Sequence, residues 1–453
     1  MNLFFLAIII YTSKCIEIPL NITSIITPKT YFFQNNPGDI TVIPNHNLFS
    51  IPIQAGTPPQ FFSLVFDTGS PFLWLSSIDS NDTFPIEHHF DPSKSSTYTK
   101  LKGNLTITYG SGKVAGPISR EDFNMFSSEI KNFSFLLANE TYFNVTGADG
   151  IIGFGREYNE NYKPFSIMSA LYEQKIIKKS IFAVYRNQSL QETSKLYLGE
   201  IPKEYNKDTA QCEIIDKDNT ARSYKLLLAC KMSHIVYGTN TIELFKNESN
   251  ITNITAIFDT GTNLIILPKD FYEIVYGKVM DKIECLEMGG EFISLLCLDI
   301  NNFTTLGFVF DGYDLTFDSS DLFQAHLLPD GEYIYNFRIL FAENANYALF
   351  GMPFFEKYFT IFDSESKKMK FTNYPNSNNS IIKVKWYLFF QEHKLLIIIC
   401  SIVLGILILA TLSIIGVLVI KKCCCKKKNS DDSMYNSINK IEGFIPSMDT
   451  LDP

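Results

Sequence analysis

Apolar positions in this chain come mostly as short runs broken by Gly, Asn and Asp. Lys225-Leu226-Leu227-Leu228 and Phe308-Val309-Phe310 are typical, and such runs read as β-strands. One stretch differs. From Pro164 to Lys179 the apolar residues Ile167, Leu171 and Ile176 fall at helical spacing, which predicts one of few helices. Two further apolar segments lie at the ends. Met1 to Ile10 is too short to span a bilayer and reads as the core of a signal peptide, although it lacks a leading basic residue. Leu395 to Ile420 is uncharged and long enough to cross a membrane. Lys421, Lys422, Lys426, Lys427 and Lys428 follow at once and mark that side as cytoplasmic. The pattern predicts an all-β protein with one C-terminal transmembrane helix.

Two strand-like runs end alike. Leu64-Val65-Phe66 leads into Asp67-Thr68-Gly69-Ser70, and Ala256-Ile257-Phe258 leads into Asp259-Thr260-Gly261-Thr262. One such Asp-[Ser/Thr]-Gly-[Ser/Thr] match in a chain of this length is a chance event of roughly a few per cent, and two are far rarer. The repetition extends further. Gly153, in Asp149-Gly150-Ile151-Ile152-Gly153-Phe154-Gly155, follows Asp67 by 86 residues. Gly351, in Ala348-Leu349-Phe350-Gly351-Met352-Pro353, follows Asp259 by 92. Each half thus carries an acidic turn, a long β-rich stretch and an apolar-apolar-Gly strand, which predicts two related lobes with a site at their junction.

Paired carboxylates suit one kind of chemistry. Two in contact cannot both ionise cheaply, so the pair shares a proton. The ionised member can take a proton from water while the protonated member donates to a carbonyl oxygen. Gly69 and Gly261, after each Asp-Thr pair, let each turn close so that backbone N–H groups approach the carboxylate, and Thr68 and Thr260 count with them among the residues expected to orient the acids. Ser70 and Thr262, three residues after each Asp, can orient the outer oxygens.

From about Asn45 to Asn373 the chain resembles a pepsin-like aspartic endopeptidase. The matching pieces run in the family's order. They are Ile51-Pro52-Ile53-Gln54-Ala55-Gly56-Thr57-Pro58-Pro59-Gln60, Trp74 seven residues after Asp67, and Phe90-Asp91-Pro92-Ser93-Lys94-Ser95-Ser96-Thr97-Tyr98. Ile107-Thr108-Tyr109-Gly110-Ser111-Gly112, Leu196-Tyr197-Leu198-Gly199 and Phe354 through Asp363 complete them. The resemblance implies a bilobal all-β fold with the cleft between two related lobes. It also implies Asp67 and Asp259 as the catalytic pair, with no metal or cofactor. Tyr109 and Gly110 would lie on a flap, a hairpin closing over substrate, with Trp74 beneath it. Asn263 stands where the family usually has a hydroxyl residue that contacts substrate backbone, so it bears on substrate preference. Met352 replaces a common Asp, and no cysteine lies between Cys15 and Cys212, so the family's early disulfide loop is missing. The resemblance further implies a Cys285–Cys297 bridge, which leaves Cys212 with Cys230; the four cysteines alone allow three pairings.

The expected organisation is a signal peptide at 1–15, a short prosegment-like region at 16–44, and protease lobes at 45–180 and 181–375. A juxtamembrane stalk at 376–394, the span at 395–420 and a cytoplasmic tail at 421–453 follow. Lys29 is the only basic residue from Ile16 to Pro44, so an electrostatically inhibitory prosegment, and with it zymogen latency, is not expected. Of the 453 residues 39 are Phe and 23 Tyr, which suits strands and a deep core. The net charge of −9, with no basic block before the span, argues against nucleic acid as a partner. Sequons open at Asn81, Asn104, Asn132, Asn139, Asn144, Asn187, Asn247, Asn250, Asn253, Asn302 and Asn378, all before the span. They fit a single-pass type I protein, monomeric, of the secretory or endolysosomal route or the cell surface, with a lumenal or extracellular catalytic part. Cys423, Cys424 and Cys425 beside the lysines are palmitoylation candidates, and free thiols or adventitious metal are the other readings. Tyr435-Asn436-Ser437-Ile438 fits either a sorting signal or a plain disordered tail. The expected activity is hydrolysis of proteins or peptides in acid. The alternative is a catalytically silent peptide-binding or adhesion protein on the same fold, which would commonly have lost an Asp, a glycine or a hydroxyl that this chain keeps. Glu87-His88-His89 reads as a solvated loop rather than a ligand set.

Overall fold

β-branched and aromatic residues place most of this chain in strands. The computed structural model describes residues 16–25, 46–384, 399 and 401–420, apart from 84–85, 111, 126–127, 143–147, 157–164, 187–193, 206–209, 216–227, 239, 243–253, 280–282, 290–291, 329, 344, 375–376 and 379.

The first acidic turn can be built residue by residue. The strand Gln60–Asp67 buries Phe62, Leu64, Val65 and Phe66. It pairs antiparallel with His46–Ala55 and, on its other edge, parallel with Gly150–Gly153, Asp67 lying opposite Gly153. Beyond the turn the chain returns as Leu73–Asp82 along the far edge of the same short strand, Leu73 opposite Ile152. The turn therefore wraps the end of the glycine strand. The later half repeats the device: Ile254–Phe258 runs parallel to Tyr347–Phe350, and Ile265–Pro268 returns antiparallel on its far edge. Only glycine fits inside the wrap. A Cβ on Gly153 would meet the Ser70 carbonyl oxygen and the Phe72 nitrogen at 2.4 Å. On Gly351 it would meet the carbonyl oxygens of Thr262 at 2.2 Å and Leu264 at 2.4 Å. The repeated apolar-apolar-Gly motif is the trace of this threading.

The halves share a platform. One sheet begins at the hairpin Thr99–Tyr109 and Gly112–Met125 and passes through Ser128–Tyr142, Leu73–Asp82, Gly150–Gly153, Gln60–Asp67 and His46–Ala55. It continues through Ile16–Ile25 into Ser194–Leu198, Ile181–Tyr185, Tyr358–Asp363, Lys368–Asn373 and Ala210–Glu213. Ile254–Phe258 and its neighbours form the second sheet. The N-terminal strand joins two regions of the first sheet: Ile16 to Leu20 pair with Ser194–Leu198, and Asn21 to Ile25 with His46 to Ser50. Ile18 and Leu20 are 0% and 1% exposed. Aromatic rings back each acidic turn. Phe66 meets Phe154 edge-on at 4.8 Å, and Phe258 stacks on Phe350 and meets Phe354 at 4.8 Å. Both disulfides form as expected, Cys212–Cys230 and Cys285–Cys297.

The predicted helix is shorter than its pattern. It spans Ile167–Glu173, with the Ser166 side chain accepting from the Ser169 N–H at its start. Lys175, at φ 60°, ends it, and Ile176 packs against the core from the following turn. Phe308-Val309-Phe310 lies in the strand Leu306–Phe310, whereas residues 225–227 fall outside the described residues. From Val384 the chain forms a separate unit. Its helix Ser401–Ile420 has 20 residues and a mean hydropathy of 3.0, long and apolar enough to cross a membrane.

The burial of Ile18 makes the N-terminal strand a part of the core. Ile18→Ala should destabilise the protein by about 2–4 kcal/mol, read from denaturant unfolding. No loss would mean that the strand is dispensable.

Candidate active site

At the end of each aspartate strand the carboxylate turns back on its own loop. The Gly69 N–H donates to Asp67 Oδ1 at 2.7 Å and the Ser70 hydroxyl donates to Oδ2 at 2.5 Å. In the second turn the Gly261 N–H donates to Asp259 Oδ1 at 2.8 Å and the Thr262 hydroxyl to Oδ2 at 2.7 Å. One oxygen of each acid is thus held by backbone and the other by a hydroxyl. The main chain is anchored as well: Asp67 accepts from the Phe154 N–H at 2.6 Å, and the Asp259 N–H donates to Phe350 at 2.9 Å.

The turns face each other at contact distance. A Cβ on Gly69 would lie 2.5 Å from Asp259 Cγ, and one on Gly261 would lie 2.8 Å from Asp67 Oδ1. Each glycine therefore makes room for the opposite acid. Between the turns run four reciprocal bonds. The Thr68 N–H donates to Thr260 Oγ1 at 3.1 Å, and the Thr260 N–H donates to Thr68 Oγ1 at 3.0 Å. The hydroxyls pass their protons onward, Thr68 to the Phe258 carbonyl at 2.8 Å and Thr260 to the Phe66 carbonyl at 2.7 Å. Both threonines are 0% exposed. Their expected task was to orient the acid of their own turn; their hydrogen bonds instead join the two halves. The recurrence of Thr, rather than either hydroxyl residue, after both aspartates is the sequence signal for it.

Asp67 is 5% exposed and Asp259 is less enclosed. Burial, first, and then the charge of Asp259 and a hydrogen bond to it push the Asp67 carboxyl well above the ordinary range, against the opposing bonds from Ser70 and Gly69. The pair is built to hold a proton.

Tyr109 ends the first strand of the hairpin Thr99–Tyr109 and Gly112–Met125, opposite Gly112. Its hydroxyl is buried within hydrogen-bonding reach of Ser70 and Trp74 and feels both carboxylates. Burial and the Asp67 charge push that phenol up. Trp74 is 0% exposed, so it supports the tyrosine from the core and offers no surface of its own. Gly110 is exposed at the tip with open space around it, and Ser111 falls outside the described residues. Asn263 keeps its side-chain oxygen buried and without a hydrogen-bond partner among the described residues, one position past Thr262. His88 and His89 do not join the site. The His88 ring lies 3.2 Å from both Asp149 oxygens, and the His89 ring lies 3.0 Å from the Ser76 hydroxyl. Cys423, Cys424 and Cys425 lie outside the described residues.

The family described as eukaryotic aspartyl protease matches residues 49–374. Pepsin A of Gallus gallus is 26% identical over 324 residues, 70% of this chain and 82% of its own length. Vacuolar protease A of Neurospora crassa is 28% identical over 338 residues, 73% of this chain and 79% of its own. Cathepsin D of Gallus gallus is 34% identical over 229 residues, 48% and 53% respectively. With a match across most of its length, the chain belongs to the eukaryotic aspartyl protease family.

Proposed function

We propose that this chain is a membrane-anchored aspartic endopeptidase that cleaves proteins or peptides in acid, with Asp67 and Asp259 as its catalytic pair. The observation that carries the reading is the face-to-face arrangement of two acids, each held by its own glycine N–H and hydroxyl and each packed against the other's glycine. A water between the carboxyls loses a proton to the ionised oxygen as its own oxygen attacks the scissile carbonyl carbon. The proton already on the pair passes to the carbonyl oxygen, giving a neutral tetrahedral diol. The pair then gives its proton to the amide nitrogen, the C–N bond breaks, and one diol hydroxyl returns its proton to the pair as the carboxylic acid forms, so the pair again holds one proton. The acids titrate as a unit, so the starting proton belongs to the pair.

Tyr109 supports this from the flap. Its buried hydroxyl lies beside Ser70, which holds Asp67, and beside the buried Trp74, so closing the hairpin would shield the pair from bulk water. Asn263, one position past the second turn where the family usually has a hydroxyl residue, would bear on substrate preference. The anchor would be the apolar segment 395–420 with its lysines on the cytoplasmic side, and the signal peptide 1–15 would put the protease lobes in the lumen or outside the cell. Relatives named as vacuolar protease A and cathepsin D support an endolysosomal route.

Asp67→Asn and Asp259→Asn should each lower kcat/KM on a peptide substrate by about 10³-fold or more, since either change removes the acid–base exchange. Activity surviving in either variant would reject the dyad. Because burial and Asp259 raise Asp67, the shared proton persists above the ordinary carboxylate range, and kcat should fall as pH climbs past the pair's upper titration. A rate flat to alkaline pH would contradict it. Tyr109→Phe should lower kcat about tenfold with little change in KM, the loss of one hydrogen bond completed on closure.

A further inference from the structure

Asp314 is an acid the mechanism does not use. It lies on the strand Tyr313–Phe317, which forms a hairpin with Leu306–Phe310 and pairs on its other edge with Ile381–Lys383. It is 5% exposed, and its Oδ1 has no hydrogen-bond partner among the described residues. The carboxyl packs onto Gly307, where a Cβ would sit 2.0 Å from that oxygen. No Lys, Arg or His among the described residues forms an ion pair with it. Val309 and Ile382 flank it in register. Tyr358, which also feels its charge, spends its hydroxyl on the carbonyls of Thr316 and Ser380. Lys383 lies over the Tyr313 ring, and Asp321 pairs with Lys357.

The same hairpin carries a second acid at its turn. Asp311, at φ 44°, accepts from the Glu213 N–H at 3.0 Å, with the Glu213 carboxylate and Lys368 as its charged neighbours. This bond ties the hairpin to the platform strand Ala210–Glu213. The Cys212–Cys230 bridge then leads to Ala229–Tyr237, which pairs with Leu306–Phe310 on one edge and with the aspartate strand Ile254–Phe258 on the other. The hairpin is thus one strand removed from the strand that delivers Asp259.

A neutral carboxylic acid is tolerable in such a place; a carboxylate with an unpaired oxygen is costly. We propose that the hairpin Leu306–Phe317 is an acid-dependent clasp, packed while Asp314 is neutral and loosened when it ionises, so that the second lobe is secure only in acid. Burial pushes Asp314 up to about 6 and raises Asp311 as well, there with help from Glu213. A folded-state value above the unfolded one means stability that is complete below about pH 4 and lost as pH rises through about 6.

The test is thermal unfolding of the full chain in detergent at pH 4, 5, 6 and 7.5, which needs no catalytic turnover and so is independent of the proposed activity. Asp314→Asn should raise the midpoint at pH 7.5 by about 4 °C over the parent and leave it within about 1 °C at pH 4. Curves that run parallel at all four pH values would overturn the clasp. Should that variant fail to fold, Asp314→Ser and amide exchange of the parent decide. Protection in 306–317 and 381–383, corrected for intrinsic rate, should fall from pH 5 to 7.5 more than in 60–67. An equal change in both regions would refute it.

Discussion

Two carboxyls facing each other repel once both are charged, and the turns that carry them are fastened against that repulsion. Thr68 and Thr260 supply the fastening. Each uses its N–H and its hydroxyl on the opposite half, so four bonds cross the junction within one residue of each acid. Because the donors and acceptors are reciprocal and dry, displacing one turn would strand several polar groups at once. The spacing of the acids is therefore set by backbone and threonine atoms that do not ionise.

That fastening presupposes two backbone turns of nearly the same shape. The wrapped glycine strand provides them. Gly153 and Gly351 each sit inside the loop made by the chain leaving the acid, where any side chain would strike main-chain atoms. The parallel pairing of Asp67 with Gly153 and of Phe258 with Phe350 fixes where each turn begins. Phe66 and Phe258 fill the space behind it. One local solution used twice, and joined face to face, yields a site with near twofold geometry from a single chain.

Much of this was legible from the residues because the paired elements repeat. Asp-Thr-Gly-[Ser/Thr] and the distant apolar-apolar-Gly strands declare themselves by recurrence, and the turn geometry follows from glycine and hydroxyl chemistry. What was hidden depended on partners far away in sequence. Nothing local to Ile16–Ile25 says that its halves pair with strands near 196 and 48. The threonine bonds span some 190 residues, as between Thr68 and Phe258, and local periodicity carries no such information. The helical spacing runs past the helix at 167–173 because periodicity carries no sign of the left-handed turn at Lys175. Asp314 reads in sequence as an ordinary polar position of an alternating strand, and only the fold buries it.

Acidity bears on this molecule in two places that follow different physics. At the junction, loss of the proton shared between charges of like sign would remove the acid half of the proposed chemistry while the threonine bonds still hold the turns. On the hairpin, Asp314 is buried with one oxygen unpaired among the described residues, and its ionisation acts on packing rather than on reaction. The first loss is reversed by lowering the pH. The second opens edges of an apolar sheet, and an opened sheet can pair wrongly before acid is restored. A protease with both features would pass from active to idle to unfolded as pH rises, in that order only if the pair gives up its proton before the hairpin does. Burial of both acids in one continuous core makes that order a matter of local contacts. Burial and the like charge of Asp259 hold the proton on Asp67 against Ser70 and Gly69, whereas burial alone holds it on Asp314.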